Sequence, residues 1–437
     1  MAASTDAALD ALAEPVAPLP EPEPPVLGLT PREWLRVNLF SSPANAALTV
    51  VFGAVVGWAM FRLARWVFVT ADWAIVRVNL RLFMVGQFPP DELWRLWVSG
   101  LVLAAALGLA AGALAAASTQ RAVELGEGDA TGERAPVRPV RRLLGALHRF
   151  WPALLGVVVV LSFTRTPLPA LLTVGLVVVS VAAASLGRLV PAHGRRWVWV
   201  IVAVGVVVSL QVITAGAGGV GWDDWGGLHL AVAATVAGIA LAFPLGLLLA
   251  LARRSSLPGI RVVSVAYIEA FRAVPLVTLL FVGQYLVGFL FPTSVDPPSF
   301  LVRAVIAITL FEAAYIAEIV RGGLQAVPHG QVEAAQALGL APLKVLRLVV
   351  LPQALRAVIP AMVGQFISLF KDTSLLAIVG FFELLTVAES AARQDAFRGQ
   401  SLQPLAYAFV GLIYWAGCST MSRERQRPER RLGVGER

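Results

Sequence analysis

From about residue 46 onward the chain alternates long apolar runs with short polar connections. A helix that crosses ~30 Å of hydrocarbon needs ~20 residues, because each backbone amide must be satisfied within the segment. Residues 98–118, 168–187, 197–216 and 230–252 contain no Asp, Glu, Lys or Arg, and each reads as a membrane-spanning helix. Residues 50–61 are apolar but are followed at once by Arg62 and Arg65, and the short run 151–163 reads as the end of a helix that begins before Trp151. Further runs occupy 265–291, 300–320, 354–382 and 405–418, most of them with isolated charges. The pattern predicts an all-α polytopic membrane protein with about ten transmembrane helices.

Residues 1–45 are read as a disordered cytoplasmic tail, since Pro, Ala and Glu dominate its first part and Pro favours extended, solvated chain. Asp6, Asp10 and Glu14 stand where a signal peptide would be basic, so none is expected. Arginine placement orients the rest. Arg134, Arg142, Arg195, Arg196, Arg253, Arg254, the stretch 321–356 and the basic tail 421–437 are expected in the cytoplasm, with 221–225 and 293–298 outside. One conflict remains: ten spans leave 62–95 outside despite several arginines, so that segment partly re-enters the bilayer or the first span is misread.

Composition sharpens the class. The chain is 58% hydrophobic and 14% charged, against ~25% charged in an average soluble domain. That excludes soluble, disordered and disulfide-built proteins. The net charge of +8 sits in connections that would face anionic lipid headgroups, without the interleaved aromatics of a nucleic-acid groove. Cys418 is the single cysteine. Neither lysine, Lys344 nor Lys371, follows a glycine, so no Walker A loop exists. His148, His193, His229 and His329 have no metal-ligand spacing. No catalytic residue, cofactor or metal is expected.

The informative stretch is 331–352, QVEAAQALGLAPLKVLRLVVLP. It reads as a helix over 332–338 ended by Gly339 in a left-handed cap, then a second helix from Pro342 that stops before Pro352. Leu343, Leu346 and Val350 share one face of the second helix, with Lys344 and Arg347 on another. This elbow is too short to span and too apolar to stand free, so it needs a partner: its own bundle, the lipid surface or another protein.

Glu333-Ala334-Ala335, three residues, Gly339, nine residues and Val349-Val350-Leu351-Pro352 resemble the EAA loop of permease subunits of binding-protein-dependent ABC importers. Residues 267–276 (YIEAFRAVPL), 314–323 (AYIAEIVRGG) and 370–375 (FKDTSL) resemble the polar amino acid branch of these permeases, and the N-terminal half, with 89–95 (PPDELWR), is similar to the general L-amino acid permeases. Val349, Ala273, Val274, Glu312 and His329 depart from the usual residues. The resemblance implies an N-terminal accessory region over 46–226 and a five-helix permease core over 227–420. It makes the loop 328–352 the coupling helix docked on an ATPase, with Glu333, Ala334, Ala335, Gly339, Leu351 and Pro352 as its residues. It also implies a multi-pass protein of the bacterial inner membrane that moves L-amino acids by alternating access while ATP is hydrolysed by a partner. The implied partners are ABC ATPase subunits, a second permease (homologous or identical) and a periplasmic amino-acid-binding protein. A narrower substrate (glutamate, glutamine or arginine) and an ion-coupled secondary transporter stay open as alternatives.

Charges inside spans are costly and are candidates for function. Glu269 and Arg272, three apart, pair with each other or line a gate; Glu318 and Arg321 have the same spacing and read as a structural pair. Glu312 has no charged helix neighbour and must find a partner across the bundle or in a watery cavity. Lys371 and Asp372 point apart and offer partners for an amino acid's two charges or for other helices. Trp222, Trp225 and Trp415 read as interface markers, and Pro244 and Pro275 as kinks.

Overall fold

The computed structural model describes residues 30–124, 139–191, 193–215, 219–292, 294–400 and 402–431, and among them every regular element is helical. The chain divides into two compact units, Met1–Ala71 and Asp72–Arg437.

In the first unit, α1 (Pro31–Asn38) opens on a capping box: Thr30 N–H donates to Glu33 Oε2 at 2.9 Å, and Glu33 N–H to Thr30 Oγ1 at 3.4 Å. The Thr30 hydroxyl, donating to Glu33 Oε2 at 2.8 Å, and then the Thr30 N–H hold the Glu33 carboxyl below its ordinary range. Ser42 caps α2 (Pro43–Arg65), accepting from Asn45 N–H at 3.2 Å, and α2 ends in a π turn over Trp66–Thr70. The tail expected over 1–45 is therefore corrected at its end: caps at Thr30 and Ser42 make 31–38 and 43 onward helical. Residues 1–29 lie outside the described residues.

The second unit comprises α3 (Ala74–Val85), α4 (Leu93–Glu124), α5 (Pro139–Ser162), α6 (Leu168–Gly187), α7 (Val198–Thr214), α8 (Gly227–Arg253), α9 (Pro258–Ala273), α10 (Leu276–Phe281), α11 (Phe300–Ala326), α12 (His329–Ala337), α13 (Pro342–Val345), α14 (Leu351–Asp372), α15 (Leu384–Arg393) and α16 (Gln403–Arg431). Among the described residues, 8 helical segments are long and apolar enough to cross a membrane, and α9 with α10 makes a ninth, bent by 101°. Pro275, extended at φ −60° and ψ 141°, sits at that bend. The shorter apolar helix Arg149–Ser162 accounts for the remaining run, so each run read from the sequence contains a helix, with 265–291 broken at 274–275 and 354–382 helical only to Ala377. The part of the basic tail over 432–437 lies outside the described residues; up to Arg431 the tail continues α16.

Contacts fix the direction of the core helices. Asp223 accepts from Leu301 N–H at 3.3 Å where α8 and α11 begin, and Arg253 pairs with Glu318 where they end, so the two run parallel. α14 returns antiparallel, with Gly323 of α11 against Ala354 and Val358, and Glu312 opposite Gln365. Small residues make the approach close: Gly238 and Gly246 of α8 lie against Ile308 and Ile316 of α11. Two buried clusters stack along this bundle, one around Leu230, Leu280, Ile308 and Leu376, the other around Ala250, Ile316, Val320 and Val345.

Arg81 and Arg95 lie at the end of the bundle opposite the elbow, where α3 packs its Phe83 ring on Phe409 at 5.1 Å. Arg95 is buried, bonded to Glu92 at 2.6 Å and donating to the carbonyls of Val212 and Ala215 at 2.8 and 2.9 Å. Arg81 donates to Phe88 O at 3.1 Å. These charges serve protein carbonyls, including those ending α7, rather than headgroups. That is why they do not follow the orientation rule.

Candidate functional site

The elbow begins with α12, whose last turn closes on a left-handed glycine: Gly339 has φ 75°, and Leu340 N–H reaches back to Ala335 O at 3.3 Å. This is the glycine cap read from the sequence. Pro342 then starts α13 at its first turn, as expected. The helix does not stop before Pro352. A π turn over Leu346–Val350 leads into α14, and one continuous apolar segment runs Pro342–Ala377. The reason is proline itself, which has no N–H and crowds the carbonyl four residues back. Shifting to bonds five residues apart, with Leu351 N–H on Leu346 O, lets the helix continue past it.

That turn also changes which face is buried. Ala335, Val345 and Val350 are the buried residues of the elbow, packed with Val320, Leu324 and Ala354. Leu343, read on one face with Leu346 and Val350, is 74% exposed; Leu338 is 82% and Leu348 61% exposed. Glu333, Ala334, Gly339, Lys344, Arg347 and Pro352 are exposed too, and Leu351 is half-buried. The elbow is thus pinned to its own bundle by one face and leaves Leu338, Leu343 and Leu348 uncovered, with exposed Glu333, Lys344 and Arg347 in the same stretch.

Behind the elbow sits an ion-pair cluster. Glu318 bonds Arg321 at 2.9 Å, the pair read from the spacing, and also pairs with Arg253 of α8. Glu269 pairs with Arg253 at 3.4 Å rather than with Arg272, whose guanidinium lies 5.6 Å from the Tyr315 ring centroid. The neighbouring helix end brings a cation nearer than the local spacing does.

The other candidates are strung along the bundle rather than gathered. Glu312 is 1% exposed; Gln365 Nε2 donates to its Oε2 at 3.0 Å, and its Oε1 has no partner among the described residues. Its partner lies across the bundle, as expected. Lys371 is exposed and borders a groove of about 320 Å³ with Ser374, Leu385, Tyr407 and Tyr414. Asp372 instead accepts from Ser368 Oγ at 3.5 Å, so the two do point apart.

Sequence reasoning passed over two groups, Glu383 and the Asn79–Gln394 pair, and did not foresee the packing of Trp225. Glu383 is fully buried and caps α15, accepting from Leu385 and Thr386 N–H at 2.6 and 3.1 Å. Its position just before the helical run 384–393 was the available signal. Asn79 and Gln394 exchange amide bonds at 3.2 and 2.7 Å, tying α3 to the segment after α15. Trp225, expected at an interface, is buried, 4.9 Å from the Trp222 ring and 4.7 Å from His229.

Residues 242–432 match the family described as binding-protein-dependent transport system inner membrane component. Over 426 residues the chain is 34% identical to the inner membrane amino-acid ABC transporter permease protein YhdY of Escherichia coli (strain K12), covering 92% of this chain and 93% of the relative. Over 462 residues it is 34% identical to the glutamate/glutamine/aspartate/asparagine transport system permease protein BztC of Rhodobacter capsulatus, covering 96% and 97%. A solved amino acid ABC transporter with histidines is 30% identical, covers 46% of this chain and 90% of its own, and aligns with a TM-score of 0.41. The similarity to YhdY and BztC runs through the N-terminal half as well as the core, and it joins a multi-helix architecture that carries the EAA pattern. The chain belongs to the family of inner-membrane permease components of binding-protein-dependent ABC transport systems.

Proposed function

We propose that this permease forms the translocation pathway of an L-amino acid importer and that its elbow is gripped by a separate ABC ATPase. The supporting observation is the division of the elbow into two faces. Ala335, Val345 and Val350 anchor it, while Leu338, Leu343 and Leu348 stand exposed beside Glu333 and Lys344. A patch of this kind is an interaction surface. The anchored face lets a push on the patch reach α11 and α14 directly. Glu333, Ala334, Gly339, Leu351 and Pro352 shape this handle, and Ala335 seats it. Glu312, Lys371 and Asp372 are path candidates, with Glu269 and Arg272 at the elbow end. A periplasmic amino-acid-binding protein delivers substrate, and a second permease, homologous or identical, completes the pathway.

The substrate class rests on the relatives, whose names specify amino acids; the BztC name favours a narrower range of acidic residues and their amides. The test is uptake of a panel of radiolabelled amino acids by proteoliposomes holding the permease, its ATPase and the binding protein. ATP-dependent accumulation of several amino acids is expected. Uptake with no ATPase present overturns the reading in favour of an ion-coupled carrier. Glu333→Lys should abolish uptake while leaving membrane insertion intact.

A further inference from the structure

We propose that the C-terminal end of α2 is a binding site for the phosphate headgroup of an anionic membrane lipid. Within its unit α2 buries no residue; Phe52, Trp58, Met60 and Phe61 are each at least 60% exposed. In a membrane such a helix is wrapped by acyl chains or by another protein. Arg62 stands nineteen residues beyond Pro43, which at ~1.5 Å per residue is about 29 Å, the thickness of the hydrocarbon layer. With one end of α2 at one interface, Arg62 and Arg65 therefore reach the headgroups of the other.

There the π turn Trp66–Thr70 alters the helix register along an open groove on one helix face, bordered by Trp58, Ala59, Arg62, Arg65, Trp66 and Thr70. Among the described residues no carboxylate lines it. Arg62 stacks over the Trp58 ring at 5.9 Å, which leaves the guanidinium edge available as a donor. Two guanidiniums three residues apart share a helix face and match the oxygens of a phosphodiester. Tryptophans hold at headgroup depth. The charge selects the occupant: an anionic lipid supplies the missing negative group and covers the apolar flank with its chains, whereas a neutral protein helix would bury two unpaired cations.

The test uses the full-length chain in its purified complex. Lipid retention is read by native mass spectrometry during titration with phosphatidylglycerol, phosphatidylcholine or inorganic phosphate. The wild type is expected to retain phosphatidylglycerol at least ~10-fold more tightly than phosphatidylcholine. R62Q/R65Q should lose that preference, and R393Q/R398Q, which changes exposed arginines elsewhere, should keep it. Equal retention of the two lipids by the wild type overturns the proposal. So does an unchanged preference in R62Q/R65Q, displacement of the lipid by millimolar inorganic phosphate, or a second polypeptide in place of lipid on α2.

Discussion

Two helices of this chain carry glycines four residues apart in an apolar run, and they meet opposite fates. In α4, Gly108 and Gly112 lie against Ser180 and Ala184 of α6, and Gly187 of α6 lies against Leu109, so that an added methyl at Gly112 would overlap the Ala184 carbonyl. In α2, a methyl added at Gly53 or Gly57 would meet nothing within 4 Å among the described residues of its own unit. The same motif is thus a closed seam in one place and an open surface in the other. Small residues permit close approach in a membrane but do not summon a partner. The elbow repeats the contrast on a smaller scale, with Val345 and Val350 packed and Leu343 and Leu348 bare.

The contrast breaks or sharpens by substitution, and the effects on stability fall in order. Gly112→Val should force α4 and α6 apart and cost about 3 kcal/mol, seen as a lower thermal midpoint and less monodisperse protein in detergent; an unchanged midpoint would mean that the seam is not tight. Glu318→Ala leaves Arg253 and Arg321 without their shared carboxylate and should cost about 2 kcal/mol by the same measurement. Gly339→Val places a branched side chain at φ 75°, at a cost of about 1–2 kcal/mol. It should reduce ATP-dependent uptake several-fold, whereas Gly339→Asn, tolerant of that region, should retain most of it. The pair Leu343→Asp and Leu348→Asp should leave the midpoint within ~0.5 kcal/mol yet abolish coupling of ATP hydrolysis to uptake. Gly57→Val should change neither, since nothing among the described residues of its unit faces it; a drop in stability would reveal a partner on α2.

The spans were legible because backbone satisfaction in hydrocarbon demands long apolar helices, and α6 coincides with its run of 168–187 to the residue. Gly339 was legible because a left-handed cap is a local backbone requirement. The packed face of the elbow was not. A helical count of three and four groups Leu343, Leu346 and Val350, but the π turn places Val345 and Val350 on one side, five residues apart. The partner of Glu269 was misread for a related reason: helical spacing puts Arg272 within reach, and only the packing of α8 against α9 brings Arg253 closer.

What the sequence determined by itself was most of what hydrophobic length, proline and glycine set: the spans, the elbow and its glycine cap, though not the stop read at Pro352. What the tertiary structure decided was which surfaces close. Gln365 on Glu312, the α4–α6 seam and the bare patch of the elbow all depend on atoms brought together from distant segments. Apolar runs fix that a helix is buried in lipid or protein, but only contact geometry chooses between them, because hydrocarbon tails and leucine side chains solvate a helix equally well.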